Sequence, residues 1–313
     1  MGYAVTGGAG FIGSHLADAL LLRGDTVIVI DDFSSGKEEN LRAHQNNKKL
    51  IAYKKSICDD VSDIFKKHKI DVVFHLAANP GVQFSIQHPI ESHQVNVDGT
   101  LNVLHAANRC GVKRVIFASS AAVYGETIQM PLHETMTPNP ASPYALQKLI
   151  GEQYCQLFTR LYDIETVILR FFNVFGPRQN PQGDYGFLIP KFITLVNNNK
   201  SPIIYGDGEQ TRDFIYVSDV VEALMLAANA DKTCIGNIFN IGTGKNTSIK
   251  EIAKLIIGLG NATVAPKHGR AIIEPRHSVA DISRAKKMLG WEPQIALENG
   301  LKKTHQYFSD NAL

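Results

Sequence analysis

The chain has 313 residues, 44% hydrophobic and 20% charged, a balance that excludes disordered and fibrous classes and suits one large domain or two modest ones. Its 32 Lys plus Arg against 30 Asp plus Glu leave a formal charge of +2 with no run of like charges, so neither a nucleic-acid surface nor a membrane-binding one is expected. Four cysteines, Cys58, Cys110, Cys155 and Cys234, lack CxxC spacing, which points to free thiols in a reducing compartment and to no metal cluster. Apolar stretches fall short of the roughly 18–20 residues of a bilayer span, and the N-terminus runs straight into a strand, so a cytoplasmic protein is expected.

Residues 3–6 form the first predicted strand. The run Thr6-Gly7-Gly8-Ala9-Gly10-Phe11-Ile12-Gly13 follows it directly and opens an amphipathic segment over residues 11–23. Gly7, Gly10 and Gly13 at that spacing let the backbone turn tightly, let a pyrophosphate approach bare amides at a helix N-terminus, and let helix and strand pack closely. A merely tight strand-to-helix turn is the competing reading. The second strand, residues 26–30, leads into Asp31, where a carboxylate can accept both ribose hydroxyls of a dinucleotide and repel a 2′-phosphate; NAD is favoured over NADP, against a plain solvated Asp31-Asp32 turn.

Further strands are predicted at residues 72–76, 115–118 and 166–172, alternating with amphipathic segments, which predicts βαβ units and a parallel sheet. Between the last two, Ser142 can cap a helix and Pro143 fits its first position, and a periodic pattern runs on to about residue 162. Tyr144 and Lys148 then share one face at i, i+4. The ammonium near the phenol favours phenolate and should pull the tyrosine below its usual value of about 10, tuning it as a general base. Such a pair also arises by chance in helices; its place downstream of a dinucleotide loop gives it weight. After residue 173 the texture changes to Gly, Pro and Asn clusters, marking a second, discontinuous region. The expected fold is α/β, a Rossmann-like doubly wound sheet with a smaller C-terminal substrate domain: residues 1–172 and 213–240 for the first, 173–212 and 241–313 for the second.

These segments together resemble the extended short-chain dehydrogenase/reductase superfamily, and within it the NAD-dependent sugar-nucleotide epimerases. The resemblance spans residues 6–293. It rests on TGGAGFIG at 6–13, His75-Leu76-Ala77-Ala78, Asn96-Val97-Asp98-Gly99-Thr100, Ser119-Ser120-Ala121-Ala122-Val123-Tyr124-Gly125, the Tyr144/Lys148 pair, RFFNVFGPR at 170–178, RDFIYV at 212–217 and LGWEP at 289–293.

The resemblance implies a Ser-Tyr-Lys site, with Tyr144 the base, Lys148 tuning it and binding the nicotinamide ribose, and Ser120 bonding the reacting hydroxyl. NAD is expected on Gly7, Gly10, Phe11, Ile12, Gly13, Asp31, Asp32, Ser35, Gly36, Ile57, Leu76, Ala77, Ala78, Asn96, Ser119, Tyr144, Lys148 and Phe171. A UDP-sugar substrate is expected on Ser120, Tyr144, Asn173, Arg178, Arg212, Glu274 and Ser278. For Asn173 and Asn96 a turn or loop cap remains the alternative, and His75 is expected only to pack and hydrogen-bond behind the cofactor.

The related 4,6-dehydratases carry acids where this chain has Ala121 and Ala122, so elimination is disfavoured and reversible oxidation at one carbon, 4-epimerisation through a 4-keto sugar, is expected. Glu274 resembles the ribose acid and Ser278 a size gate small enough to admit an N-acetyl group, pointing to UDP-N-acetylhexosamines alongside UDP-glucose and UDP-galactose. A UDP-uronic acid 4-epimerase or decarboxylase, a nucleotide-sugar reductase or dehydratase, and an inactive NAD-sensing scaffold are the alternatives. The chain departs from the family pattern at residues 271–274, Ala-Ile-Ile-Glu, where a phosphate arginine is displaced and Arg270 or Arg276 is the candidate substitute. Ser56, with Asp59 nearby, and Pro80 are further departures on the cofactor side. A homodimer is implied through helices near residues 100–108 and 144–161.

Overall fold

The computed structural model describes residues 1–181, 188–270 and 275–311. In chain order its strands are β1 (Gly2–Thr6), β2 (Thr26–Asp31), β3 (Leu50–Lys54), β4 (Val72–His75), β5 (Arg114–Ser120), β6 (Glu165–Phe171), β7 (Asn173–Phe175), β8 (Ile203–Tyr205), β9 (Thr211–Arg212), β10 (Phe214–Tyr216), β11 (Ile238–Ile241), β12 (Thr247–Ser248) and β13 (Lys267–Gly269). The helices are α1 (Phe11–Leu22), α2 (Ser62–His68), α3 (Val82–Gln87), α4 (Pro89–His93), α5 (Gly99–Arg109), α6 (Pro143–Tyr162), α7 (Leu188–Asn197), α8 (Val217–Ala228), α9 (Ile249–Leu259) and α10 (Leu297–Asp310).

Seven strands form one parallel sheet in the order β11-β6-β5-β4-β1-β2-β3. Side chains alternate across it, as strand geometry requires. Tyr3 and Val5 of β1 face a core shared with Leu16 and Leu20 of α1 and Val220 and Leu224 of α8. Ala4, with Val73 and Val115, faces the opposite core, which Phe65 of α2, Val103 of α5 and Phe158 of α6 complete. The chain runs outward from β1 to β3 and then returns to the other side of β1 at β4. The topological switch point therefore lies beyond the carboxyl ends of β1 and β4, where an open α/β sheet binds its ligand.

The predicted strand starting at residue 26 runs on through Asp31, and the one at 115–118 extends to Ser120, so both functional ends lie in regular structure. The predicted helix is α6, with the Ser142 hydroxyl accepting from the Ala145 amide at 3.2 Å and Pro143 in its first turn. β3 and β11, which are not among the clearest strand patterns, complete the sheet at its two edges. The second region gathers Phe192 of α7, Ile252 of α9 and Leu301 of α10 around Phe175, Phe214 and Tyr216. Two placements differ from the expected division. Phe214–Tyr216 pairs with β7 rather than with the large sheet, and Ala285, Leu289 and Trp291 pack into the core of α1 and α8. The Trp291 indole N–H, donating to the Asp219 carbonyl at 2.9 Å, fastens the late segment to α8.

Candidate active site

The glycine loop is shaped by close contact. Gly7 has φ +68°, and a Cβ there would stand 2.7 Å from the Ala77 amide nitrogen; at Gly13 a Cβ would stand 2.2 Å from the Gly7 carbonyl. Only bare backbone lets the loop, α1 and the residues after β4 converge. No side chain caps α1 at Gly10, so its first-turn amides, Phe11 and Ile12 among them, face the switch point as an anion-binding end. Leu76 and Ala77 close the other side, their amides donating to the Thr6 carbonyl and hydroxyl, with Ala78 following.

Asp31 stands at the end of β2, 7% exposed, its oxygens accepting from the Ala9 and Phe33 amides at 2.9 and 2.8 Å. Burial pushes its carboxyl up and those two amides pull it back. Each oxygen keeps a lone pair for a ribose hydroxyl. A Cβ on Gly36 would lie 2.7 Å from that carboxylate, so Gly36 keeps the approach clear, with exposed Ser35 beside it and Asp32 capping Ser34. Ile57 is buried against Gly99, and Phe171 ends β6 opposite Ser120. The glycine cradle, the uncapped helix end and the strand-end carboxylate fit a dinucleotide.

Tyr144, Lys148 and Ser120 are brought together at the carboxyl end of β5. Lys148 Nζ donates to the Ala118 carbonyl at 2.8 Å and lies 5.9 Å from the Tyr144 ring centroid. The Ser120 hydroxyl accepts from the Ala122 amide at 3.1 Å, leaving its own hydrogen free to donate toward the Tyr144 oxygen. The expected tuning is corrected by burial. The Tyr144 phenol is pushed up by desolvation, with the Ser120 bond alone opposing it, and Lys148 is pushed down to about 8 by its own desolvation.

His75 is neutral, pushed down to about 3 by complete burial and the nearby Lys148 charge. Its neighbours fix the tautomer. Thr100 donates to the Asn96 carbonyl at 2.7 Å, so it accepts from His75 Nε2–H at 3.0 Å, while Nδ1 accepts from Thr6 at 2.8 Å. Asn96, expected on the cofactor side, is a hydrogen-bonding hub. Its Oδ1 accepts from the Asn79 amide at 2.7 Å, and its Nδ2 donates to Asn79 O and to Gln147 Oε1 at 3.0 and 2.8 Å. Both amide hydrogens tie the loop after β4 to α6, because Asn96 is 2% exposed and must satisfy itself there. The Ser119 hydroxyl likewise points to Glu152 rather than outward, at 2.5 Å.

On the substrate side, Asn173 is exposed at the start of β7, its amide bonded to the Asp213 carbonyl. Half-buried Arg212 lies on β9, and the Ser278 amide donates to the Thr211 carbonyl next to it at 3.2 Å, which brings Arg212 and Ser278 into one neighbourhood. Arg178 is drawn elsewhere: the turn at Gly176-Pro177 carries it back over α1, where it pairs with Asp18 at 2.8 Å. Arg276, the candidate phosphate substitute, is bidentate to Asp207 at 2.9 and 2.7 Å, and Glu274 lies outside the described residues. Two carboxylates went unnoticed in the sequence. Asp213, 0% exposed, accepts from the Thr243, Gly244 and Ala280 amides and so fixes the loops around Arg212. Glu152 follows Lys148 by one turn on the same face; the repeat of that spacing was the available signal.

A dinucleotide cradle joined to a Ser-Tyr-Lys site at the carboxyl ends of the central strands defines an oxidoreductase-type centre of the short-chain dehydrogenase/reductase class. Residues 3–242 match the NAD dependent epimerase/dehydratase family, and the chain belongs to that family, as an extended member of the class whose cofactor is NAD. It is 40% identical to a putative UDP-glucose 4-epimerase of Methanocaldococcus jannaschii, with 98% of each chain covered. Its structure is similar to that of UDP-glucose 4-epimerase of Thermotoga maritima with UDP-glucose, at TM-score 0.95, 39% identity and 100% coverage of both chains. UDP-N-acetylglucosamine 4-epimerase of Methanobrevibacter ruminantium M1, in complex with UDP-N-acetylmuramic acid, matches at TM-score 0.94 and 40% identity over 99% of this chain and 98% of that one.

Proposed function

We propose that the protein interconverts UDP-sugars epimeric at C4, acting on UDP-N-acetylglucosamine and UDP-N-acetylgalactosamine and also on UDP-glucose and UDP-galactose. The observation that carries the reading is the convergence of Tyr144, Ser120 and Lys148 at the end of β5. The glycine loop, the α1 N-terminus and Asp31 would hold NAD, which when bound would supply a reversible hydride acceptor for C4, so that the reaction has no net oxidation. Tyr144 takes the proton of the C4 hydroxyl, and the Ser120 hydrogen, aimed at Tyr144 in the free protein, turns to donate to the same sugar oxygen once substrate binds. Lys148 holds positive charge beside the phenol. After the 4-keto sugar has presented its other face, Tyr144 returns the proton. Ala121 and Ala122 can neither protonate a leaving hydroxyl nor abstract a neighbouring proton, so water is retained.

Ser278, beside Arg212, is the residue that admits the N-acetyl group, with Arg212 on the diphosphate, Asn173 on the nucleotide-sugar and Glu274 on the uridine ribose. Ser278→Tyr is expected to lower kcat/KM for UDP-N-acetylglucosamine by roughly tenfold to a hundredfold and to leave UDP-glucose within about threefold. Incubation of the protein with each sugar separately, with chromatographic resolution of the C4 epimers, tests the reading. Turnover of UDP-glucose alone overturns the N-acetyl assignment; turnover of neither overturns the epimerase.

We further infer a cytoplasmic homodimer. Among the described residues no helix is long and apolar enough to cross a membrane, and all four cysteines are free. α6 leaves Leu146 and Leu161 49% and 62% exposed, and Ile90 of α4 is 76% exposed, giving apolar surface that a second copy would cover. Sedimentation at a single-chain mass would overturn the dimer.

A further inference from the structure

Glu152 takes no part in the proton transfer, yet it is 1% exposed in the helix that carries Tyr144 and Lys148. Three consecutive residues fasten the end of β5 to that helix. The Ala118 carbonyl accepts from Lys148, the Ser119 hydroxyl donates to Glu152 Oε1 at 2.5 Å, and Ser120 meets Tyr144. The register partner of Ser119 on β6 is Arg170, which donates through Nε to Oε1 at 2.8 Å and through Nη2 to Oε2 at 2.7 Å. One carboxylate thus grips β5 and β6 together. The far side of the Arg170 guanidinium lies over the Tyr124 ring, 4.6 Å from its centroid.

Packing alone does not call for this arrangement, since apolar residues of equal volume fill such a site as well or better. What short charge-assisted bonds add is direction. A hydroxyl held by a carboxylate fixes the depth and rotation of the strand end, and the two neighbours of Ser119 are the ones that touch the catalytic pair.

We propose that Glu152 is a positioning residue: paired with Arg170, it anchors Ser119 and so holds Ser120 and the Ala118 carbonyl in register with Tyr144 and Lys148. The proposal rests on the epimerase reading above for its kinetic consequence. The titratable or charged groups around Tyr144 and Lys148 are His75 on β4, Glu152 and Cys155 on α6 and, through Glu152, Arg170 on β6, and the test leaves all of them in place.

Ser119→Ala cuts the link to the strand and keeps the ion pair. Its kcat for UDP-glucose is expected to fall about tenfold with KM within twofold, and Ser119→Thr, which retains the hydroxyl, is expected to recover most of the loss. A second readout needs no substrate. In a near-ultraviolet difference titration with Tyr144→Phe as the blank, ionisation of Tyr144 in Ser119→Ala is expected to move to higher pH, because Ser120 no longer sits where it lowers the phenol. An unchanged kcat in Ser119→Ala, or an unchanged Tyr144 titration, overturns the proposal, for a bond of structural value alone would lower only the melting temperature. If the wild-type protein turns over no UDP-sugar, the epimerase reading fails, and the titration still decides the role of Glu152.

Discussion

Tyr144→Phe is expected to lower kcat by about 10²- to 10⁴-fold, the range typical of removing a positioned general acid–base group. The ring stays beneath the Lys148 ammonium, so the local structure is kept and KM should move little. Only the oxygen that faces Ser120 is lost. Steady-state kinetics with UDP-glucose measure the effect, and a loss of less than tenfold would assign the proton transfer to another group. The pH profile follows from Lys148. Its ammonium, pushed down to about 8, is charged below that pH and neutral above it, so kcat is expected to decline as pH rises through about 8. Lys148→Met should lose that decline along with most of the rate.

Arg170→Met is expected to destabilise the fold by about 3–5 kcal/mol, because it leaves the Glu152 carboxylate buried without its ion pair and, among the described residues, with Ser119 as its one remaining hydrogen-bond partner. The side chains of both members of the ion pair are 2% exposed, so water cannot take the place of the guanidinium. In a chain of this size the apparent melting temperature should fall by roughly 10 °C. The double variant Glu152→Leu/Arg170→Met removes both charges and should recover most of the loss in stability, while its kcat stays low. A scan in which the double variant is no more stable than Arg170→Met would show that the cost lies in packing rather than in a stranded charge.

The elements that the sequence made legible are those whose local signals agree. β1 and β2 are β-branched runs bounded by glycine or charge, and α6 announces itself through Ser142, Pro143 and a long periodic face. β11 has four residues and carries a buried asparagine. Asn240 is tolerated there because Tyr124 donates to it at 2.7 Å and its amide reaches the Leu132 carbonyl at 2.8 Å, partners more than a hundred positions away. No local pattern encodes that. β3 is an edge strand whose residues are mostly half-exposed, which blurs its apolar signal.

The same division runs through the site. Gly7, Asp31, Tyr144 and Lys148 sit in local patterns with a chemical reason for their spacing, whereas the role of Ser120 came only with the family resemblance. Glu152 and Arg170 carry no local signal of their partnership; only the cross-strand register of Ser119 and Arg170 reveals them as one unit. Spacing also misjudged charge. The i, i+4 pair suggested a phenol lowered by its lysine, whereas burial, which spacing does not show, raises the one and lowers the other. The pairing of Arg178 with Asp18 on α1, formed once the chain folds back, is likewise not legible in the spacing.

The central claim is that C4 is oxidised and reduced by one bound NAD within a closed cycle. UDP-glucose carrying deuterium at C4 tests it most directly, with the product UDP-galactose examined by mass spectrometry and NMR. The account predicts product that retains the deuterium at C4, with no NADH released and no exchange with solvent. Loss of the label to water, or release of labelled NADH into solution, would contradict it.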